Sequence, residues 1–137
     1  MAPSEHLAIL QGWAGAISAG ELDRALTYLA PDFVGHYAAM PDAVKGPEGF
    51  KGMYSYFIQP AFPDQKITIE RPLVAGDKIA VQVSWTATHK GPFLYIPATG
   101  KTIFVPGTGI FRIEDGKIAE TWMLEDFLGI YQQLTAS

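Results

Sequence analysis

Residues Gly109–Leu124 read GIFRIEDGKIAETWML, and the fold turns on their centre. Asp115-Gly116 is a strong two-residue hairpin signal, because both central positions of a type I′ turn need positive φ. Around that turn Ile113 falls opposite Ile118, Phe111 opposite Glu120 and Gly109 opposite Trp122. Cross-strand partners share a face. One face would then carry Phe111, Ile113, Ile118, Glu120, Trp122, Leu124 and, at its far end, Asp126. The other would carry Ile110, Arg112, Thr121 and Met123, a mixed surface suited to a subunit contact.

Upstream of the hairpin the period of two continues. Ile79 to Trp85 alternates most clearly, and Gly76-Asp77-Lys78 turns it back onto a strand from Ile67 towards Val74. Residues 90–100, rich in Gly and Pro, break the pattern before a strand over about 101–113, in which Pro106 predicts a bulge or an edge. Earlier still the period is helical. Leu7, Leu10, Ala14 and Ile17 form a stripe within Ser4–Ala19, with Ser4 as N-cap and Gly20 as stop. A second helix is read over Glu21–Leu29, a short strand at Phe33–Tyr37, a third helix from Pro47 with Phe50, Met53 and Phe57 on one side, and a last one at Phe127–Leu134. Helices first and antiparallel strands after give an α+β fold, with helices laid on one face of a curved sheet.

The chain has 137 residues, 48% of them hydrophobic and 18% charged. That is one domain by length, since single cores run to roughly 100–200 residues. Ten basic against fourteen acidic residues, a net charge of −4, argue against nucleic acid as a partner. The chain has no cysteine, which removes thiol catalysis and cysteine-held zinc. No His/Asp/Glu cluster has metal-ligand spacing, and no glycine loop has the context for cradling phosphate, so no cofactor or metal is expected. No apolar run approaches a membrane span. The N-terminus lacks the basic region of a secretory signal, so a cytoplasmic location is expected. The surplus apolar surface suits two uses, an apolar pocket and a subunit interface.

Several stretches together resemble one family. They are WTATHKGPFL (Trp85–Leu94), IPATGK (Ile96–Lys101), GIFRIEDGKI (Gly109–Ile118), then Glu120, Trp122, Asp126, Leu128-Gly129 and Gln132-Gln133-Leu134, with DFVGH (Asp32–His36) near the start. In order and spacing they resemble the SnoaL-like polyketide cyclases. The resemblance spans nearly the whole chain. It implies the nuclear-transport-factor-2-like cone, a bent sheet closed by about three helices around a pocket, and commonly a dimer. It also implies a single aspartate near the end of the last strand, here Asp126, as general acid/base in a cofactor-independent intramolecular aldol ring closure on a hydrophobic polyketide-like ketone or ester. A methylene between two carbonyls is already acidic, so one desolvated carboxyl suffices for the proton. The competing role for Asp126 is capping the helix that begins at Phe127.

His36 and His89 are the other candidates for catalysis, as donors to a ketone oxygen or partners of Asp126. Glu120 lies six residues from Asp126, about 20 Å along an extended strand, too far for a paired-carboxylate mechanism. Trp13, Tyr37, Met53, Tyr54, Phe57, Trp85, Phe93 and Trp122 are the rings and thioether that could wall a pocket for a flat substrate. Two other functions fit the same fold. One is an epoxide hydrolase or ketosteroid-isomerase-like enzyme, the hydrolase requiring an Asp–Arg–Asp array. The other is a non-catalytic carrier of a small hydrophobic ligand. A homodimer or higher homo-oligomer through the open sheet face is expected, with no membrane partner.

Overall fold

The computed structural model describes residues 2–137. Helix α1 (Pro3–Ser18) starts at a proline, whose missing amide hydrogen is no loss in a first turn. Its N-cap is Ala2, with no side-chain cap, so Ser4 lies inside the helix rather than before it. Gly20, at φ +74°, stops it. Helix α2 is only Leu22–Leu26, shorter than the sequence suggests, because the chain becomes strand β1 (Leu29–Tyr37) before the apolar stripe ends. After the two-residue strand β2 (Val44–Lys45), helix α3 (Gly46–Met53) widens into a π-helical turn over Tyr54–Ile58. Strands β3 (Lys66–Ala75), β4 (Lys78–Thr88), β5 (Thr102–Glu114) and β6 (Lys117–Glu125) then lead to helix α4 (Phe127–Thr135).

The six strands form one sheet in the order β2-β1-β6-β5-β4-β3. From β6 to β3 it is an antiparallel meander. β1 enters beside β6 in parallel, a pairing that no local pattern announces. Asp115 and Gly116 have φ of +51° and +73°, as a type I′ turn requires. Helix α1 packs on β3 and β6, α3 on β1 and α4 on β5. The result is the nuclear-transport-factor-2-like α+β cone, with the helices and the concave face of the sheet enclosing the core.

Irregularities bend the sheet and decide which residues face inward. The register slips between Glu70 and Leu73 in β3, where Arg71 sits at φ +52°, and between Leu29 and Val34 in β1. The third slip matters most. Ile113 pairs with Ile118 as the turn dictates, but Arg112 pairs with Glu120, Phe111 with Thr121 and Gly109 with Met123. The extra residue is a β-bulge at Ala119-Glu120, where Ile118 and Ala119 are both buried. Because side chains alternate with a period of two, one inserted residue exchanges the faces of everything beyond it. Thr121, Met123 and Glu125 therefore point in, whereas Glu120, Trp122 and Leu124 point out. This reverses the face assignment made from the turn alone.

Pro106 produces neither bulge nor edge. It pairs in regular register with Ser84 in the middle of the sheet. Its carbonyl accepts from the Asp126 amide on the β6 side, so its own nitrogen faces the point where β6 ends and no ladder donor is needed.

Candidate active site

A cavity of about 570 Å³ opens between two apolar clusters and takes walls from both. Trp13 and Ile17 of α1, Phe50 and Met53 of α3, and Tyr54, Phe57 and Ile58 of the π-helical turn form one side. The widened turn brings Tyr54, Phe57 and Ile58 to the cavity together, a use to which such turns are often put. Tyr37, Val83, Trp85, Phe111, Thr121 and Met123 line the sheet side, and Phe93, Leu94 and Ile96 close one end from the 90–100 loop. Of the eight wall residues expected, Trp13, Tyr37, Met53, Tyr54, Phe57, Trp85 and Phe93 are there. Trp122 is not. The bulge turns it outward, where its ring stacks on His36 with centroids 5.5 Å apart.

The one carboxyl in the cavity wall is Glu125. It ends β6 on the inward parity, opposite Gly107. A Cβ at Gly107 would lie 2.7 Å from the Leu124 carbonyl oxygen and 3.1 Å from Cγ of Glu125, and one at Gly109 only 2.3 Å from Sδ of Met123. The inward glycines of β5 thus hollow out the space that the side chains of β6 occupy. Across that gap the Trp85 indole Nε1 donates to Oε2 of Glu125 at 3.1 Å. Burial raises the Glu125 pKa above the ordinary glutamate value, and the Trp85 hydrogen bond opposes part of that rise.

Asp126 is the next residue and points elsewhere. It is exposed, does not line the cavity, and its Oδ1 accepts from the Gly129 amide at 2.8 Å as the N-cap of α4. This is the capping role, and it corrects the placement of Asp126 on the pocket face. Nor do the histidines enter the cavity. His36 lies on the outer face, its Nε2 2.7 Å from Oε2 of Glu120. His89 is fully buried beneath the 90–100 loop. Its Nδ1 accepts from the Thr99 amide at 3.1 Å, which puts the ring proton on Nε2, and burial lowers its pKa. Its backbone pairs with Lys101 and Gly100, so His89 fastens the loop rather than reaching a ligand.

The hydrolase array fails on the same ground. Arg112 does bridge two carboxylates, Glu114 at 2.7 Å and Glu120 at 3.3 Å, but on the face away from the cavity. Among the described residues no group of His, Asp and Glu could hold a metal ion. No helix is long and apolar enough to cross a membrane.

Sequence reasoning missed Glu125 because it fixed parity from the turn and carried it through. The one local signal is Ile118-Ala119, two consecutive apolar residues directly after the turn.

Comparison with known proteins agrees with this architecture. The family model described as SnoaL-like polyketide cyclase matches residues 8–134. A search of curated proteins found no significant match. Among solved structures, a candidate SnoaL-like polyketide cyclase from Jannaschia sp. CCS1 superimposes with a TM-score of 0.86 at 22% identity, covering 100% of this chain and 97% of that one. At that identity the likeness shows the fold alone. A candidate polyketide cyclase from Acidithiobacillus ferrooxidans gives 0.85 at 29% identity, covering 98% and 97%. IdmH from Streptomyces antibioticus, described in similar terms, gives 0.82 at 27%, covering 94% and 97%.

Proposed function

Because this chain belongs to the SnoaL-like polyketide cyclase family, we propose that it closes a ring in a hydrophobic polyketide-like ketone or ester, with Glu125 as the acid/base. The observation that carries this reading is a single desolvated carboxyl in the wall of an aromatic cavity of about 570 Å³. The Glu125 carboxylate takes a proton from a carbon between two carbonyls. The resulting enolate carbon attacks a ketone carbon of the same molecule, forming one C–C bond. The new alkoxide then recovers the proton from Glu125, so the product is an isomer of the substrate and nothing else is consumed. The raised pKa makes the carboxylate a stronger base and the carboxylic acid a more available donor near neutral pH. The walls hold the chain folded so that the two carbons meet.

The test is incubation with an aryl poly-β-ketone methyl ester, followed by mass and carbon NMR. A ring-closed isomer formed faster than in buffer supports the reading. A ligand that binds and is recovered unchanged would establish a carrier instead.

The outer face of the sheet pairs with a second copy of the chain. Leu73, Ala80, Ile110 and Trp122 fall in one row across β3, β4, β5 and β6. Leu73 is 73% exposed, and Leu124, beside the row, 62%. A contiguous apolar strip of this kind is unusual on a monomer, and a two-fold axis would set it against itself. The native chain should sediment as a dimer and Trp122→Glu as a monomer. A monomeric native chain would remove the proposal.

A further inference from the structure

One side-chain amide lines the cavity, and the acid/base reading does not use it. Gln65 is only 6% exposed and forms part of the wall. It comes one residue before β3, in a segment tied down on both sides. Asp64 before it accepts from the backbone amide and the hydroxyl of Thr88, each at 2.7 Å. Lys66 after it pairs with Thr86. The side chain is held as well, because the Tyr54 hydroxyl donates to Oε1 of Gln65 at 2.9 Å. Tyr54 is in turn held by Phe50, whose ring stacks on it with centroids 5.8 Å apart.

That bond settles which way the amide faces. A buried phenol needs an acceptor for its proton, and Gln65 is the only partner of the Tyr54 hydroxyl among the described residues. Burial pushes the Tyr54 pKa up to about 12, so the proton stays on the oxygen. Oε1 must therefore point to Tyr54, which leaves the two protons of Nε2. They hydrogen-bond to nothing among the described residues, yet Nε2 is not sealed in by protein atoms as the indole nitrogen of Trp13 is. Trp85 and Thr121, by contrast, donate within the protein, to Glu125 and to the Ile110 carbonyl. A half-paired amide in an apolar wall ordinarily costs stability, and leucine would fill the place without that cost. A donor fixed in this way suits a ligand oxygen.

Gln65 and Glu125 reach different parts of a ligand. Glu125 lies opposite Gly107, which pairs with Val83, whereas Gln65 is level with Ala87. The step from Val83 to Ala87 is about 13 Å of strand. We propose that Gln65 is a specificity-determining residue, whose side-chain amide donates to a carbonyl oxygen on the part of the substrate away from the reacting carbons. The role rests on the reading of Glu125 as acid/base, which fixes where those carbons lie. The substrate class narrows accordingly, to polyketide-like ketones or esters with a further carbonyl well separated from the pair at Glu125. Tyr54 is the positioning residue, holding Oε1 so that Nε2 is aimed before the ligand arrives. A site built to hydrogen-bond a ligand oxygen rejects the analogue that lacks it, because the buried donor is then left unpaired.

9-Fluorenone and fluorene, planar probes that differ by one carbonyl, test this without turnover. Gln65→Leu should weaken fluorenone binding about three- to tenfold, the usual worth of one hydrogen bond, and leave fluorene within about twofold. In the native chain the infrared C=O stretch of bound fluorenone should lie at lower wavenumber than in an apolar solvent. Gln65→Leu should abolish that shift, and Tyr54→Phe, which frees the amide to turn, should reduce it. In the NMR spectrum of the native chain a Gln65 side-chain amide proton should move downfield when fluorenone binds and not when fluorene does, a reading that needs no variant to fold. Equal weakening of both probes, a shift that survives Gln65→Leu, or an amide proton that fluorenone leaves in place overturns the proposal. A full shift in Tyr54→Phe overturns the part given to Tyr54. Loss of the shift in Glu125→Gln or Tyr37→Phe, with Gln65 intact, would identify another donor and also overturn the proposal. Failure of the Glu125 reading would appear instead as unchanged turnover in Glu125→Gln, with these binding results intact.

Discussion

Glu125→Gln should lower the rate of ring closure by about 10²–10⁴-fold, the usual worth of a positioned general acid/base, while Asp126→Asn should change it by no more than a few-fold. The two residues are adjacent in sequence and face opposite ways. Glutamine keeps the size of Glu125 and can still accept from Trp85, so the cavity is retained and only proton transfer is lost. Asparagine is as good an N-cap as aspartate, so Asp126→Asn keeps the bond to the Gly129 amide. Asp126→Ala removes it and should cost about 1 kcal/mol of stability. Steady-state kinetics and melting curves on the three variants separate the roles. A large loss in Asp126→Asn with normal melting would return catalysis to the residue implied by the family resemblance.

Phe62→Ala should be the most destabilising single change, at about 3–5 kcal/mol, as for other buried phenylalanines. Phe62 is fully buried, packs edge-on to Trp85 with centroids 5.4 Å apart, and touches the rings of Phe93 and His89. In a chain of this length the melting temperature should fall by roughly 10–20 °C. The effect reaches the site, because Phe62 backs the indole that donates to Glu125. Calorimetry of the variant gives the stability, and a fall of only a few degrees would mean that the second cluster re-collapses around the gap. At a temperature where the variant remains folded, a loosened Trp85 should raise the Glu125 pKa further.

What was legible in the sequence follows physical range. The alternation of Ile79–Trp85, the Asp115-Gly116 turn and the helical stripe ending at Gly20 are local, and each produced the expected element. The aromatic wall was legible as a group for a related reason. Seven of the eight residues sit on inward stripes set by the helices, β1, β4 and the 90–100 loop, none of them downstream of the bulge. The parallel pairing of β1 with β6 joins segments some ninety positions apart, and nothing local encodes it. The bulge at Ala119-Glu120 is a one-residue event, yet it reassigns Trp122 and Asp126 to the outside and Glu125 to the inside. His36, a candidate for catalysis from its place on the short first strand, takes the outer parity of that strand. Gly35 and Tyr37 beside it take the inner face, leaving His36 to pair with Glu120 and stack on Trp122.

The sign of the Glu125 shift gives a stability prediction as well as a kinetic one. A carboxyl whose folded pKa lies above its unfolded value favours the fold fully at pH below about 4.5 and loses that contribution as pH rises through the raised value. The native chain should therefore lose stability relative to Glu125→Gln over that interval. The carbon-13 chemical shift of the Glu125 carboxyl, followed against pH in the native chain, tests the central claim most directly. The account predicts a midpoint clearly above the ordinary glutamate value of 4.5, rising further in Trp85→Phe. A midpoint at or below that value would contradict a desolvated acid/base at Glu125.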